Sequence, residues 1–310
     1  MTSDSQLTLD SYQHRALKTD VLPGAGEHPV GADDALLLPL LGLAGEVGQL
    51  AAQVKKRARD KQGYTGFADE VAEELGDALW YLAVLADRAG LKLSAVAERN
   101  LSKSHDTFAP FDPALRPLDD DDEKEAEQLP RLLTVRFTEN TVARHGHSVP
   151  TVTVNVVDER GEALGDPLDD NNIEDDDYRY HDVFHLAHMA VLGWSPVMRS
   201  LLRPKRKRRS NRKDRVEDGG RGIAIEEGLT AAVFSEAREH SFFASADRVS
   251  SDLLKLCRRM TSHLEVSTRS NAQWQEAILV GYRAFNELRA HAGGTVTADV
   301  AAGTLRIEPA

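Results

Sequence analysis

The spacing of apolar residues predicts a chain built mostly of helices. Residues 8–20 read as a short helix with Thr8 or Asp10 as its cap. A Pro/Gly-rich loop follows from Pro23 to Gly31, and a long helical pattern then covers 33–59, bent or begun near Pro39. Residues 67–90 give a strong helix, with apolar Val71, Leu75, Ala78, Leu79 and Leu82 at helical spacing. Another helix covers 93–106. Pro110 to Pro117 and the run Asp119-Asp120-Asp121-Asp122-Glu123 mark a boundary, because adjacent like charges repel and cannot pack. The second half opens with two alternating strands, Leu132 to Thr138 and Thr151 to Val157, the latter followed by the turn signal Asp158-Glu159-Arg160-Gly161. Helices return over about 176–193, 222–240, 248–264 and 272–291. A short hairpin, Thr295 to Asp299 and Thr304 to Ile307, is turned at Ala302-Gly303. The expected fold is therefore mainly α in two domains. A helical bundle covers 1–110, an acidic linker 111–130, and a mostly helical domain with a small β element 131–310.

Composition narrows this picture only at a few points. The 310 residues are 41% hydrophobic, enough to bury two cores, and the net charge of −12 disfavours nucleic acid and anionic membranes as bulk partners. Cys257 is the single cysteine, so no intramolecular disulfide forms. The N-terminal MTSDSQLTLDSYQ has no signal-peptide core. The apolar stretch from Ala35 to Leu43 is too short to span a bilayer. A soluble, cytoplasmic protein without membrane association is expected.

Acidic residues carry the candidate chemistry of the first domain. Glu46 lies in the first long helix, and Glu70, Glu73, Glu74 and Asp77 lie in the second. Carboxylates three or four apart share a helix face and repel. Two such faces brought together make an oxygen-rich pocket suited to Mg²⁺, which points to metal-assisted phosphate chemistry. Glu73 points about 100° away from Glu74, toward solvent or a partner subunit. Trp80 reads as a core residue or a subunit contact.

Four pieces in order over residues 1–110 resemble the MazG-like nucleoside triphosphate pyrophosphohydrolases: Leu9-Asp10-Ser11-Tyr12-Gln13, Gly42-Leu43-Ala44-Gly45-Glu46-Val47-Gly48, Glu73 through Leu82, and Asn100-Leu101-Ser102-Lys103. The resemblance implies an all-α enzyme, Mg²⁺-dependent (Mn²⁺ as a substitute), working as a homodimer or tetramer. Its reaction would cleave NTPs or dNTPs to monophosphate and pyrophosphate. It implies Glu46, Glu74 and Asp77 as metal ligands and Glu70 as a further ligand or general base, with these four carboxylates forming the catalytic set. Asn100 and Lys103 would contact the nucleotide, and Lys55 is a candidate for the phosphate tail. Gln49 stands where the family usually has a second Glu. An amide oxygen can still coordinate Mg²⁺ but brings no charge. This departure motivates an alternative, a nucleotide-sensing domain that regulates the second half.

The second half holds another cluster, Tyr180-His181-Asp182-Val183-Phe184-His185-Leu186-Ala187-His188. His181, His185 and His188 share one helix face, and Glu226-Glu227 begin a later apolar helix. Imidazoles and carboxylates from facing helices suit a transition metal such as Zn, Fe or Mn. The segment resembles the C-terminal domain that accompanies some bacterial MazG-like proteins, which leaves its chemistry open. Between the two helices, Arg203 to Arg215 form a dense basic stretch without interleaved aromatics. Binding of nucleic acid or phosphate, or a plain surface loop, are the readings it allows. Cys257 reads as a core residue.

Overall fold

The computed structural model describes residues 6–23, 33–108, 118, 124–142, 151–170, 172, 174–203, 206 and 216–310. The chain is mainly helical and divides into two compact units, Met1–His105 and Asp106–Ala310. The acidic run 119–123 and most of the basic stretch lie outside the described residues.

The first unit is built on α1 (Leu9–Ala16), α2 (Asp33–Asp60), α3 (Phe67–Arg88) and α4 (Leu93–Phe108). Thr8 caps α1, accepting the Ser11 amide while the Ser11 hydroxyl faces back to it. Gln13 is buried and ties α1 to the start of α4. Its Nε2 donates to the Leu91 carbonyl at 3.0 Å, and its Oε1 accepts the Leu93 amide at 2.9 Å. Trp80 donates to Thr19 Oγ1 at 2.9 Å, closing the other side of α1. Gly42 admits the Tyr81 ring against α2, where any Cβ would overlap it.

Pro39 sits inside α2 without ending it, and the structure supplies a physical reason. Proline has no N–H, so the carbonyl four residues earlier loses its helical partner. That carbonyl belongs to Ala35, and Arg88 Nη1 donates to it at 2.6 Å. The same guanidinium pairs with Asp20 at 3.0 Å and reaches the Pro23 carbonyl at 3.1 Å. A helix uninterrupted at Pro39 changes one expectation. The apolar run does not stop at Leu43 but continues to Val54 with Glu46 as its single charge. By length and composition, the helix from Ala35 to Gly63 is long and apolar enough to cross a membrane. Leu36, Leu37, Leu38, Leu40 and Leu41 on it are exposed, as are Leu75 and Leu82 of α3. In a single copy α3 buries Ala83, Val84 and Ala86 instead.

The second unit packs helices against a four-stranded antiparallel sheet of order β2-β1-β3-β4. The strands are β1 (Leu132–Val142), β2 (Thr151–Asp158), β3 (Gly293–Asp299) and β4 (Thr304–Pro309). Val135 pairs with both Asp158 and Val296, so the two early strands and the C-terminal hairpin form one sheet through β1 and β3. Around it lie α5 (Asp182–Ala187), α6 (Pro196–Leu202), α7 (Gly220–Glu239), α8 (Ser251–Met260) and α9 (Asn271–Ala290). The helix expected over 176–193 is broken into a 3₁₀ turn, Tyr178–Tyr180, then α5, then a π-helical turn, His188–Leu192. α6 was not legible in the sequence. Helix α9 is the core axis, with Trp274, Tyr282 and Phe285 buried along it. Gly281 lets α5 approach closely, since a Cβ there would stand 3.2 Å from Ala187 Cβ and Phe184 Cδ1. Cys257 is buried on α8, and burial pushes its thiol up to about 12, which keeps it an inert core group.

Replacing Arg88 with Met should cost the first unit about 3–5 kcal/mol, because it strands a buried Asp20 carboxylate. In a Pro39→Ala background the restored N–H takes over the Ala35 carbonyl, and the same change should cost about 1 kcal/mol less. Urea titrations of the four proteins measure the difference. Equal losses in both backgrounds would refute the coupling.

Candidate functional site

In the first unit, α2 and α3 pack side by side and bring their acidic faces together. The α2 stripe is Glu46, Gln49 and Gln53, and the α3 stripe is Glu70, Glu74 and Asp77. Burial, a hydrogen bond with Glu74, and the charges of Asp77 and Glu74 all raise the Glu46 pKa above the usual carboxylate range. Glu74 is buried, whereas Glu70 and Asp77 are exposed. Gln53 is the residue that sequence reasoning missed. Its Nε2 donates to Glu74 Oε1 at 3.3 Å and Glu70 Oε2 at 3.4 Å, and its Oε1 accepts the Tyr64 hydroxyl at 2.6 Å. Its position seven residues after Glu46 was the available signal, since that spacing returns to the same helix face. Gln49 Nε2 donates to Glu46 Oε2 at 3.1 Å. Tyr12 of α1 stands close enough for its phenol to be raised by burial and by the Asp77 charge.

The second cluster is centred on Glu226 of α7, fully buried. Its Oε1 accepts from His185 Nδ1 at 3.0 Å, His188 Nδ1 at 3.1 Å and Ser195 Oγ at 2.8 Å. Its Oε2 accepts the Val197 amide at 2.9 Å. Burial alone would raise Glu226, but the charge of His185 and these hydrogen bonds hold it down at about 2. Burial opposes protonation of His185, yet Glu226 and Glu227 together push it up to about 10. His181 is lowered, chiefly by burial. Its Nδ1 bonds the Tyr178 carbonyl at 2.9 Å, and the Tyr178 ring stacks on it at 4.5 Å. The ligand-type atoms of His181, Asp182 and His185 lie within 4.8 Å of one another, as do those of His185, His188 and Glu226.

Comparison with known proteins places both clusters. Residues 36–107 match the MazG nucleotide pyrophosphohydrolase domain, and residues 114–310 match the MazG C-terminal domain. The chain belongs to the MazG family. It is also similar to the Gene 37 protein of Mycobacterium phage L5, 41% identical over 97 residues, which cover 31% of this chain and 83% of that protein. No solved structure matches.

The acidic cluster thus falls within the MazG domain, and the His/Glu cluster within the MazG C-terminal domain. Lys55 is exposed on α2. Asn100 and Lys103 are exposed on α4, whose packing against α1 and α3 is made at its first residue, Leu93. One member of the basic stretch departs from expectation. Arg206 is buried, donating to Asp218 and, at 2.9 Å, to Glu265, so it is not part of an exposed basic surface. Arg203 is exposed, and residues 204–205 and 207–215 lie outside the described residues.

Beside Arg206, Glu217 is buried, accepts the Glu265 amide at 3.1 Å, and is raised to about 7 by burial and by the charge of Glu265. A raised folded-state pKa stabilises the fold below the unfolded value and loses that contribution as pH climbs through 7. Glu217→Gln should therefore melt close to the wild type at pH 5 and above it at pH 8. Thermal melts at the two pH values check this, and a constant offset would count against the assignment.

Proposed function

We propose that the MazG domain hydrolyses nucleoside triphosphates, NTP or dNTP, to the monophosphate and pyrophosphate, with Mg²⁺ or Mn²⁺ as cofactor. The observation that carries this reading is the meeting of Glu46, Glu74 and Asp77 on facing sides of α2 and α3. A triphosphate and a carboxylate cluster repel each other, so a divalent ion must stand between them. When bound, Mg²⁺ supplies charge neutralisation on phosphate oxygens and water activation.

The chain's own residues divide the remaining work. Glu46, Glu74 and Asp77 would hold the ion, with the Gln49 amide oxygen as a neutral donor once its side chain turned away from Glu46. Gln53, steadied by Tyr64, spaces Glu70 from Glu74. Glu70 is exposed and takes the proton as water adds to the α-phosphorus. The bond from that phosphorus to the bridging oxygen breaks, and pyrophosphate leaves. Lys55, Asn100 and Lys103 neutralise phosphates and hold the nucleotide.

The exposed leucines of α2 and α3 support a homodimer or tetramer. A second copy placed on them would bury apolar area at about 25 cal/mol per Å² and complete a bundle. A bilayer is a poorer occupant, because the same helix carries Glu46 near its middle. A carboxylate there costs about 3 kcal/mol and would be kept from Glu74. The protein in this reading works in the cytoplasm.

A second reading, nucleotide sensing without turnover, is favoured by Gln49. Its amide replaces a charge and donates into Glu46, occupying an oxygen the ion would use. Pyrophosphate release from a panel of NTPs and dNTPs with Mg²⁺ separates the two. Turnover should be found and should be abolished by Asp77→Asn. Tight nucleotide binding with no turnover on any substrate would replace the hydrolase with the sensor. Gln49→Glu adds a negative ligand, so it should lower the Mg²⁺ concentration for half-maximal rate severalfold. An unchanged or higher Mg²⁺ requirement would remove Gln49 from the site.

A further inference from the structure

We infer that the MazG C-terminal domain carries a second metal centre of its own, built from His181, Asp182, His185 and Glu227 around a divalent first-row transition ion. This site is separate from the acidic cluster of the MazG domain and is made only of residues from the second unit.

The geometry sorts the histidines and glutamates of the cluster into two roles. His185 Nδ1 faces Glu226, so the opposite nitrogen, Nε2, points away from that carboxylate. This Nε2 is buried and has no hydrogen-bond partner among the described residues. It stands 3.5 Å from Glu227 Oε2. His181 follows the same plan. Its Nδ1 meets a backbone carbonyl, which must accept, so the proton belongs on Nδ1 and the Nε2 lone pair is left outward. That Nε2 lies 3.6 Å from Asp182 Oδ1. Two ligand atoms each about 2.1 Å from one ion, at 90–110° apart, are about 3.0–3.4 Å from each other. The two pair separations lie close to this range, and the ligand-type atoms of His181, Asp182 and His185 all lie within 4.8 Å of one another.

Glu226 is not a ligand in this arrangement. Four donors, from His185, His188, Ser195 and Val197, already fill its oxygens. It is a positioning residue that fixes the His185 tautomer and ring, the outer partner found behind metal-bound histidines. His188 bonds Glu226 through Nδ1 at 3.1 Å and has no place in the group of His181, Asp182 and His185. Charge supports the same assignment. Asp182, Glu226 and Glu227 place three carboxylates in a small, largely buried volume, and Asp182 has no arginine or lysine partner among the described ion pairs. Two imidazole nitrogens select a transition ion over Mg²⁺. Glu227 is partly exposed, so the centre opens to solvent on one side, as sites that keep a water or substrate position do.

The test is equilibrium dialysis of the full chain against Zn²⁺ in excess Mg²⁺, which occupies the MazG-domain carboxylates. A parallel titration with Co²⁺ reads its visible absorption. One ion per chain is expected, with an absorption band of nitrogen-coordinated Co²⁺. His181→Ala should abolish stoichiometric uptake, and Glu227→Gln, at a partly exposed position that leaves the core intact, should weaken it at least tenfold. Glu226→Gln should weaken binding about 10–100-fold, and His188→Asn should leave the stoichiometry at one. Circular dichroism confirms that each variant folds. If the folded wild type takes up neither ion, His185 is an imidazolium clamped between Glu226 and Glu227 and the proposal fails. It fails equally if Glu227→Gln and His181→Ala bind as the wild type does. Because no nucleotide is present, neither result depends on pyrophosphohydrolase activity.

Discussion

A carboxylate with no access to water must find its proton donors inside the protein, and Glu226 imposes that constraint on the whole second unit. A buried, unpaired charge would cost several kcal/mol. Glu226 avoids it by drawing donors from two other elements: His185 and His188 from the α5 segment, Ser195 and Val197 from the start of α6. The helix carrying the histidines, the next helix and α7 are therefore fixed relative to one another by one side chain. The π turn that begins at His188 belongs to the same arrangement, since it changes the helical phase at the residue that must also reach Glu226.

The two units handle negative charge in opposite ways. In the MazG domain Glu70 and Asp77 stay exposed beside the buried Glu74, so water screens part of the repulsion, and two glutamines, Gln49 and Gln53, space the carboxylates with amide hydrogens. In the MazG C-terminal domain they are enclosed, and histidines take the place of water. The first arrangement suits an ion that arrives with its substrate and leaves with the product. The second suits an ion held for long periods.

Much of this was legible in the sequence because it rests on local spacing. Apart from α6 and the break within 176–193, the helices and all four strands were anticipated within a few residues, whereas the grouping of Glu46 with Glu74 and Asp77 came from the resemblance to the MazG family. What was not legible depends on contacts between distant residues. Pro39 looked like a place where α2 bends or begins, because its missing hydrogen bond is compensated by Arg88, whose position in space the sequence does not give. Gln53 is chemically unremarkable until Tyr64 and two glutamates close around it. Leu75 and Leu82 carry the pattern of core residues, yet they are exposed, because the periodicity of a helix does not say which of its apolar residues find a neighbour. Arg206 was hidden in a run of identical charges, and only Asp218 and Glu265 distinguish it from its neighbours.

The order of strands in the sheet has a consequence for how the molecule is made. β1 is central, and its partner on one side is β3, so Thr134 meets Thr297 across 163 positions of chain. The first unit is assembled from neighbouring helices and can close soon after it leaves the ribosome. The second cannot complete its sheet until β3 has been synthesised, and until then β1 presents an open edge. The acidic run Asp119 to Glu123 emerges just ahead of that strand. Its charge discourages like chains from associating during the interval in which the edge is bare.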